Sequence, residues 1–210
     1  MRNKILWSLM TFLAVAVALY AIGLLVNPDL RPPFIQNLFA HFPALTPLHF
    51  IGGAIAIVSG AFQFVPALRR KHLALHRLLG RFYVVAILCS GCAGLVLAVN
   101  SVGGLYVQLG FGLMAIVWLI TTLKAYLLIR QRQVQAHQQW MIRSYAVTLA
   151  GVTLRLYLGI SVLLGVKFVE AYPILAWLCW VPNLIIAELI VRLNHRDNKP
   201  ISHAGLPETP

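Results

Sequence analysis

The chain has 210 residues, 60% of them hydrophobic and only 10% charged, against about 25% charged in an ordinary soluble domain. Its formal charge is +12, with just five acidic residues. An acid/base hydrolase has too few carboxylates here, and a nucleic-acid partner is not expected, because the placement of the basic residues explains the charge better.

A helix needs roughly 20 apolar residues to cross about 30 Å of hydrocarbon. Six stretches reach that length: 5–26, 47–66, 80–99, 108–129, 145–166 and 173–191. The expectation is an all-α integral membrane bundle of six transmembrane helices, forming a single membrane domain over 1–210. The first stretch follows Arg2 and Lys4 and is longer than the 7–15-residue core of a secretory signal, so it is expected to remain as a span. Residues 27–46 hold Pro28, Pro32, Pro33 and Pro43 and are expected to be irregular and exposed. The third stretch contains Cys89 and Cys92 at redox-motif spacing, which inside a membrane read as small packing residues; Cys179 lies in the sixth, and no disulfide scaffold is expected. The tail, 195–210, is polar and expected to be disordered.

Of the 17 Lys and Arg, 14 lie at the N-terminus, in 67–81, in 124–143 and beyond residue 191. Those segments alternate along a six-span chain, so both termini are expected on the cytoplasmic side. Two of the basic segments also resemble each other. At an offset of 61, Arg69 meets Arg130, Lys71 meets Arg132 and His76 meets His137; after a one-residue insertion Arg81 meets Arg143 and Tyr83 meets Tyr145. Helices 2–3 and 4–5 read as a tandem two-helix repeat, which would bring His76 and His137 to one depth.

Spacing by alternating fours and threes groups residues on one helix face. The second span gives His49, Gly53, Ala56, Gly60 and Gln63; the third gives His76, Gly80, Tyr83, Ile87, Ser90 and Gly94; the fifth gives His137, Met141, Ser144, Thr148, Gly151 and Arg155. Such seams either let helices approach closely or leave room for a flat cofactor or a lipid-like substrate. Arg155 lies twelve residues from both Arg143 and Lys167, roughly 18 Å from either end. A central arginine costs on the order of 2.5–3.5 kcal/mol to insert, so it is expected to face inward with a partner, Glu188 or Asn183, as a structural pin or as the anchor of an anionic ligand. His76 and His137 at matched depth would suit two-imidazole ligation of a b-type haem, with Arg77, Arg81 and Arg143 near the propionates. That is their only expected metal role. His49, without a histidine counterpart, is a candidate contact for a quinone or other small lipophilic ligand.

At "LHFIGG" (48–53), "HRLLGRFY" (76–83), "GGLYVQLGFGLMAIVWLITTLKAY" (103–126) and "HQQWMIRSYAVTLAGVTLR" (137–155) the chain resembles a family of predicted bacterial membrane proteins known only as a domain of unknown function. His49, His76, Arg81, Trp118, His137, Trp140, Arg143 and Arg155 stand at its motif positions. The resemblance implies a multi-pass protein of the bacterial inner membrane and supplies no activity. A looser resemblance to cytochrome b561, whose four-helix core pairs histidines two helices apart, rests on His76 and His137; its second pair is missing, because His49 has no mate. Three functions stay open: a haem-binding or redox protein, a transporter or lipid- or anion-binding protein using Arg155, and a non-catalytic membrane subunit. Whether the chain is an enzyme is left open.

Overall fold

A computed structural model describes residues 4–197, and all ten α-helices among them belong to one bundle. The chain runs α1 (Lys4–Val26), α2 (Pro33–His41), α3 (Leu45–Gln63), α4 (Pro66–Lys71), α5 (Leu73–Val99), α6 (Leu105–Arg130), α7 (Val134–Thr148), α8 (Ala150–Leu163), α9 (Phe168–Leu178) and α10 (Val181–Asp197). With α7–α8 and α9–α10 each counted as one span, six are long and apolar enough to cross a membrane. Large apolar side chains such as Phe12, Val85, Ile120 and Ile185 face outward, as lipid contact requires and water would penalise.

The span limits differ from the apolar runs in instructive ways. α5 starts at Leu73 and α7 at Val134, well before the hydrocarbon-length stretches begin, because Arg, Lys and Gln are good helix formers that hold their polar heads in the interface. α3 stops at Gln63 because the proline at 66 forces Val65 out of the helical region, to φ −75, ψ 113. The 27–46 segment is also more ordered than its prolines suggest. Asn27 accepts the Asp29 N–H at 3.0 Å to cap a short 3-10 turn, Pro33 opens α2, and Ile35 is buried. Arg31 folds back to donate to Leu24 O (2.7 Å) and Leu25 O (3.0 Å), closing the open end of α1. Of the expected tail, 195–197 continue α10, and 198–210 lie outside the described residues.

The last two spans are interrupted at mid-bundle. The helix breaks over Cys179 and Trp180 because Pro182, which has no N–H and whose ring would clash one turn back, fits only the first turn of a new helix. The carbonyl freed at Cys179 accepts from the Thr153 hydroxyl and, at 3.0 Å, from the Asn183 amide, which also reaches Thr153 Oγ1 (3.2 Å) and Ala146 O (3.3 Å). Unsatisfied backbone at this depth would cost several kcal/mol, so Asn183 and Thr153 are the side chains that make the break tolerable. Leu149 interrupts the neighbouring span for one residue, next to Thr148 and Thr153.

Candidate functional site

The three seams turn toward one centre, and they do so in two ways. Nearer the end that carries the basic loops they close completely. Ala56, Gly60, Gln63, Tyr83, Ile87, Met141 and Ser144 are buried. A Cβ on Gly60 would stand 2.5 Å from the Tyr145 ring and 2.7 Å from that of Tyr83, so only glycine lets both rings lie against α3. Their hydroxyls are satisfied: Tyr145 donates to Ile57 O (3.0 Å), and Tyr83 Oη lies 2.8 Å from Ser144 Oγ and 3.0 Å from Thr148 Oγ1. Thr122 Oγ1 meets Ser144 Oγ at 2.7 Å, and Trp118 Nε1 donates to Thr148 Oγ1 at 2.8 Å.

In the opposite half the seams part around a cavity of about 240 Å³. Trp118 and Thr148 form part of its lining, as do Ile57, Met114, Leu154 and Leu158, while α1 contributes Val17, Tyr20, Ala21 and Leu24 and α2 contributes Phe34, Ile35 and Leu38. Besides Ser101, Trp118, Thr148 and the Cys179 thiol, four polar side chains face this mostly apolar space. Arg155 makes one hydrogen bond, from Nη1 to Gly151 O on its own helix at 3.2 Å. His49 places Nδ1 2.9 Å from Ser90 O and 3.2 Å from Ser90 Oγ, while Ser90 Oγ donates to His49 O at 2.8 Å. A carbonyl can only accept, so in the neutral ring Nδ1 carries the hydrogen and Nε2 carries the lone pair. Gly94 makes this seat possible: a Cβ there would stand 2.9 Å from Nδ1. Tyr172, which is buried, and Tyr20, which lines the cavity but is exposed on its outer side, complete the set. Their hydroxyls and His49 Nε2 have no hydrogen-bond partner among the described residues, and no Asp or Glu lines the cavity. The Arg155 charge is felt at His49 and at Tyr172.

Neither expected partner serves Arg155. Glu188 lies nearer the basic end, level with Arg143, and pairs with Arg143 Nη2 at 2.8 Å and with Arg192 Nε at 3.3 Å. Asn183 is committed to the Cys179 break. The guanidinium is left with a helix carbonyl and the cavity.

His76 and His137 stand apart from this cavity, and neither lines it. They are electrostatic neighbours, with Arg69 and Arg77 also acting on His76. His137 Nδ1 donates to Ala125 O at 2.8 Å, leaving Nε2 with its lone pair. His76 Nδ1 is buried with no hydrogen-bond partner, while Gln63 donates to the His76 carbonyl at 3.3 Å. Of the three arginines expected beside the pair, Arg77 and Arg81 are exposed and Arg143 is bound to Glu188. Cys89 and Cys92 are exposed on the outer face of α5, away from both sites. No group of three or more His, Cys, Asp or Glu that could hold a metal occurs among the described residues.

Tyr20, Tyr172 and the α2 wall escaped the sequence reading. Val17, Tyr20, Ala21 and Leu24 do share a helical face, a signal that was available. Nothing local marks Tyr172 or α2 as cavity walls, since both arrive there through tertiary packing.

Six apolar helices, outward-facing aliphatic residues and a polar centre define a polytopic α-helical membrane protein. The chain belongs to the DUF2306 family of predicted membrane proteins, whose model matches residues 46–191. No curated protein and no solved structure matches it.

Proposed function

We propose that this is a membrane-embedded binding protein or carrier for a small lipophilic anion, with the ligand's head held by Arg155 and its apolar body along the cavity. One observation carries the reading. A guanidinium at membrane depth, with no carboxylate near it, opens onto a cavity that also presents an imidazole lone pair and two unpaired phenols. Isolated polar groups in hydrocarbon are expensive, and one amphipathic ligand would satisfy all four. A cavity of 150 Å³ accepts benzene, so about 240 Å³ suits one substituted ring or one medium-length chain. The bilayer of a bacterial inner membrane, with both chain termini on the cytoplasmic side, is the setting this reading assumes.

The test uses the full chain in lipid nanodiscs, with decanoate and decyl phosphate as anions and decanol and a short-chain benzoquinone as neutral comparisons. Anion binding is expected to fall at least about thirty-fold in Arg155→Leu, as for loss of a roughly 2 kcal/mol charged hydrogen bond. Melting temperature should hold or rise, because an uncompensated cation leaves the membrane interior. Intact binding with a lower melting temperature would make Arg155 a structural pin, and quinone binding unaffected by Arg155→Leu would move the ligand class.

A second reading belongs to His76 and His137. His76, whose buried Nδ1 has no partner, and His137, whose Nδ1 is tied to Ala125 O, would hold the iron of a b-type haem, and Arg77 and Arg81 would be available to its propionates. Haem would supply one-electron chemistry. A reduced-minus-oxidised spectrum of the purified protein, expressed with ample haem, decides it: Soret and alpha bands lost in His76→Ala and His137→Ala support the reading, and featureless spectra from well-folded wild type end it.

A further inference from the structure

We infer that the ligand enters the Arg155 cavity as a neutral carboxylic acid and gives its proton to His49 Nε2, leaving a carboxylate held between imidazolium and guanidinium. This rests on the cavity's being a ligand site at all; what it adds is the head-group chemistry and a role for His49.

Arg155 spends one N–H on Gly151 O and keeps the others, which can only donate. Tyr20 and Tyr172 can donate or accept. His49 Nε2 can only accept while the ring is neutral, because Ser90 O and Ser90 Oγ hold Nδ1 as the donor and the Ser90 hydroxyl hydrogen is already used on His49 O. The wall is therefore built for a head group that has an acidic O–H beside a carbonyl oxygen. A carboxylic acid has both on one carbon, and its anion matches the planar guanidinium fork. A phosphate dianion would bring two charges to one guanidinium. A permanently ionised head would also have to cross hydrocarbon as a charge, whereas a neutral acid does not.

The step balances without any further reagent. The acid O–H bond breaks, an N–H bond forms on Nε2, and the electron pair stays on the carboxylate oxygen. The groups around His49 are few: Ser90 from α5, Arg155 from α8 and, around the Arg155 charge, the phenols Tyr20 from α1 and Tyr172 from α9 and the Cys179 thiol at the break before α10; α2 and α6 give the lining no charged or titratable group. Nothing else in the lining is placed to compete as the proton acceptor, and the product pairs one anion with two cations.

Decanoate binding to the full chain in nanodiscs, followed across pH, reads this directly. Where free decanoate is ionised and free His49 is neutral, each ligand bound takes up one proton, so affinity falls about tenfold per pH unit. His49→Gln, which keeps a polar group in place, is expected to bind with no such slope. Carboxyl-13C decanoate supplies a check needing no mutant: bound to wild type, its carboxyl resonance should keep the ionised shift even at a pH where free decanoate is protonated. A flat pH profile in wild type, or a protonated shift for the bound acid, overturns the proton step while Arg155→Leu still abolishes binding. If Arg155→Leu binds like wild type, the ligand site itself falls.

Discussion

The two halves of the bundle are made from the same three helix faces, yet they treat polar groups in opposite ways. Toward the basic end, Tyr83, Tyr145, Ser144, Thr122, Thr148 and the Trp118 indole all find partners within 3.0 Å. Toward the other end, Arg155, His49 Nε2, Tyr20 and Tyr172 face a void. A hydroxyl network in low dielectric rigidifies a core only when complete, and the hydroxyl network of the basic half meets that condition, although His76 Nδ1 at the same end is buried without a partner. The cavity half fails it by four groups, which is how a binding site differs from a core. Tyr83 and Tyr145 account for the switch, because their rings fill on one side what glycines and small residues leave empty on the other.

Breaking the packed half should have the largest effect. Gly60→Ala puts a methyl 2.5 Å from the Tyr145 ring; overpacking of this kind typically costs about 1–3 kcal/mol, seen as a clear fall in melting temperature. Gly112→Ala is the control, since a Cβ there meets nothing within 4 Å, and it should be neutral or slightly stabilising. Asn183→Leu comes next. It strips the Cys179 carbonyl of one of its donors at about 1–2 kcal/mol, and hydrogen exchange should rise first around Cys179. Tyr83→Phe removes one hydroxyl from a network whose remaining members keep other partners, so roughly 0.6–1 kcal/mol is expected. If Tyr83→Phe proved as damaging as Gly60→Ala, the hydroxyls rather than the ring packing would define that half. Glu188→Gln is the smallest: its pairs with Arg143 and Arg192 are partly solvated, worth under about 1 kcal/mol, and raised salt should mask the change.

Much of the architecture could be read without coordinates. The faces carrying His49, Ser90 and Arg155 follow from residue spacing alone, and these faces do converge. Partner choice did not follow from spacing. Glu188 is the only acid in the apolar stretch 173–191, but depth along the helix sets which residues meet, and Glu188 is level with Arg143. Asn183 is unavailable to Arg155 for a different reason: its partner is a backbone carbonyl exposed by the break before Pro182, and no count of side-chain charges reveals that. The 27–46 segment is more ordered than its proline content implies, because a proline in the first turn favours a helix and Pro33 starts α2.

The amino-acid order by itself determined that this protein is a six-span helical membrane protein, because the length of an apolar run must match the thickness of hydrocarbon and a lipid-exposed backbone must bond within itself. It also determined which residues share a face. Tertiary structure alone decided where the bundle is solid and where it is hollow, because that depends on which bulky rings meet which glycines across helices far apart in the chain. The same packing left Arg155 facing the hollow.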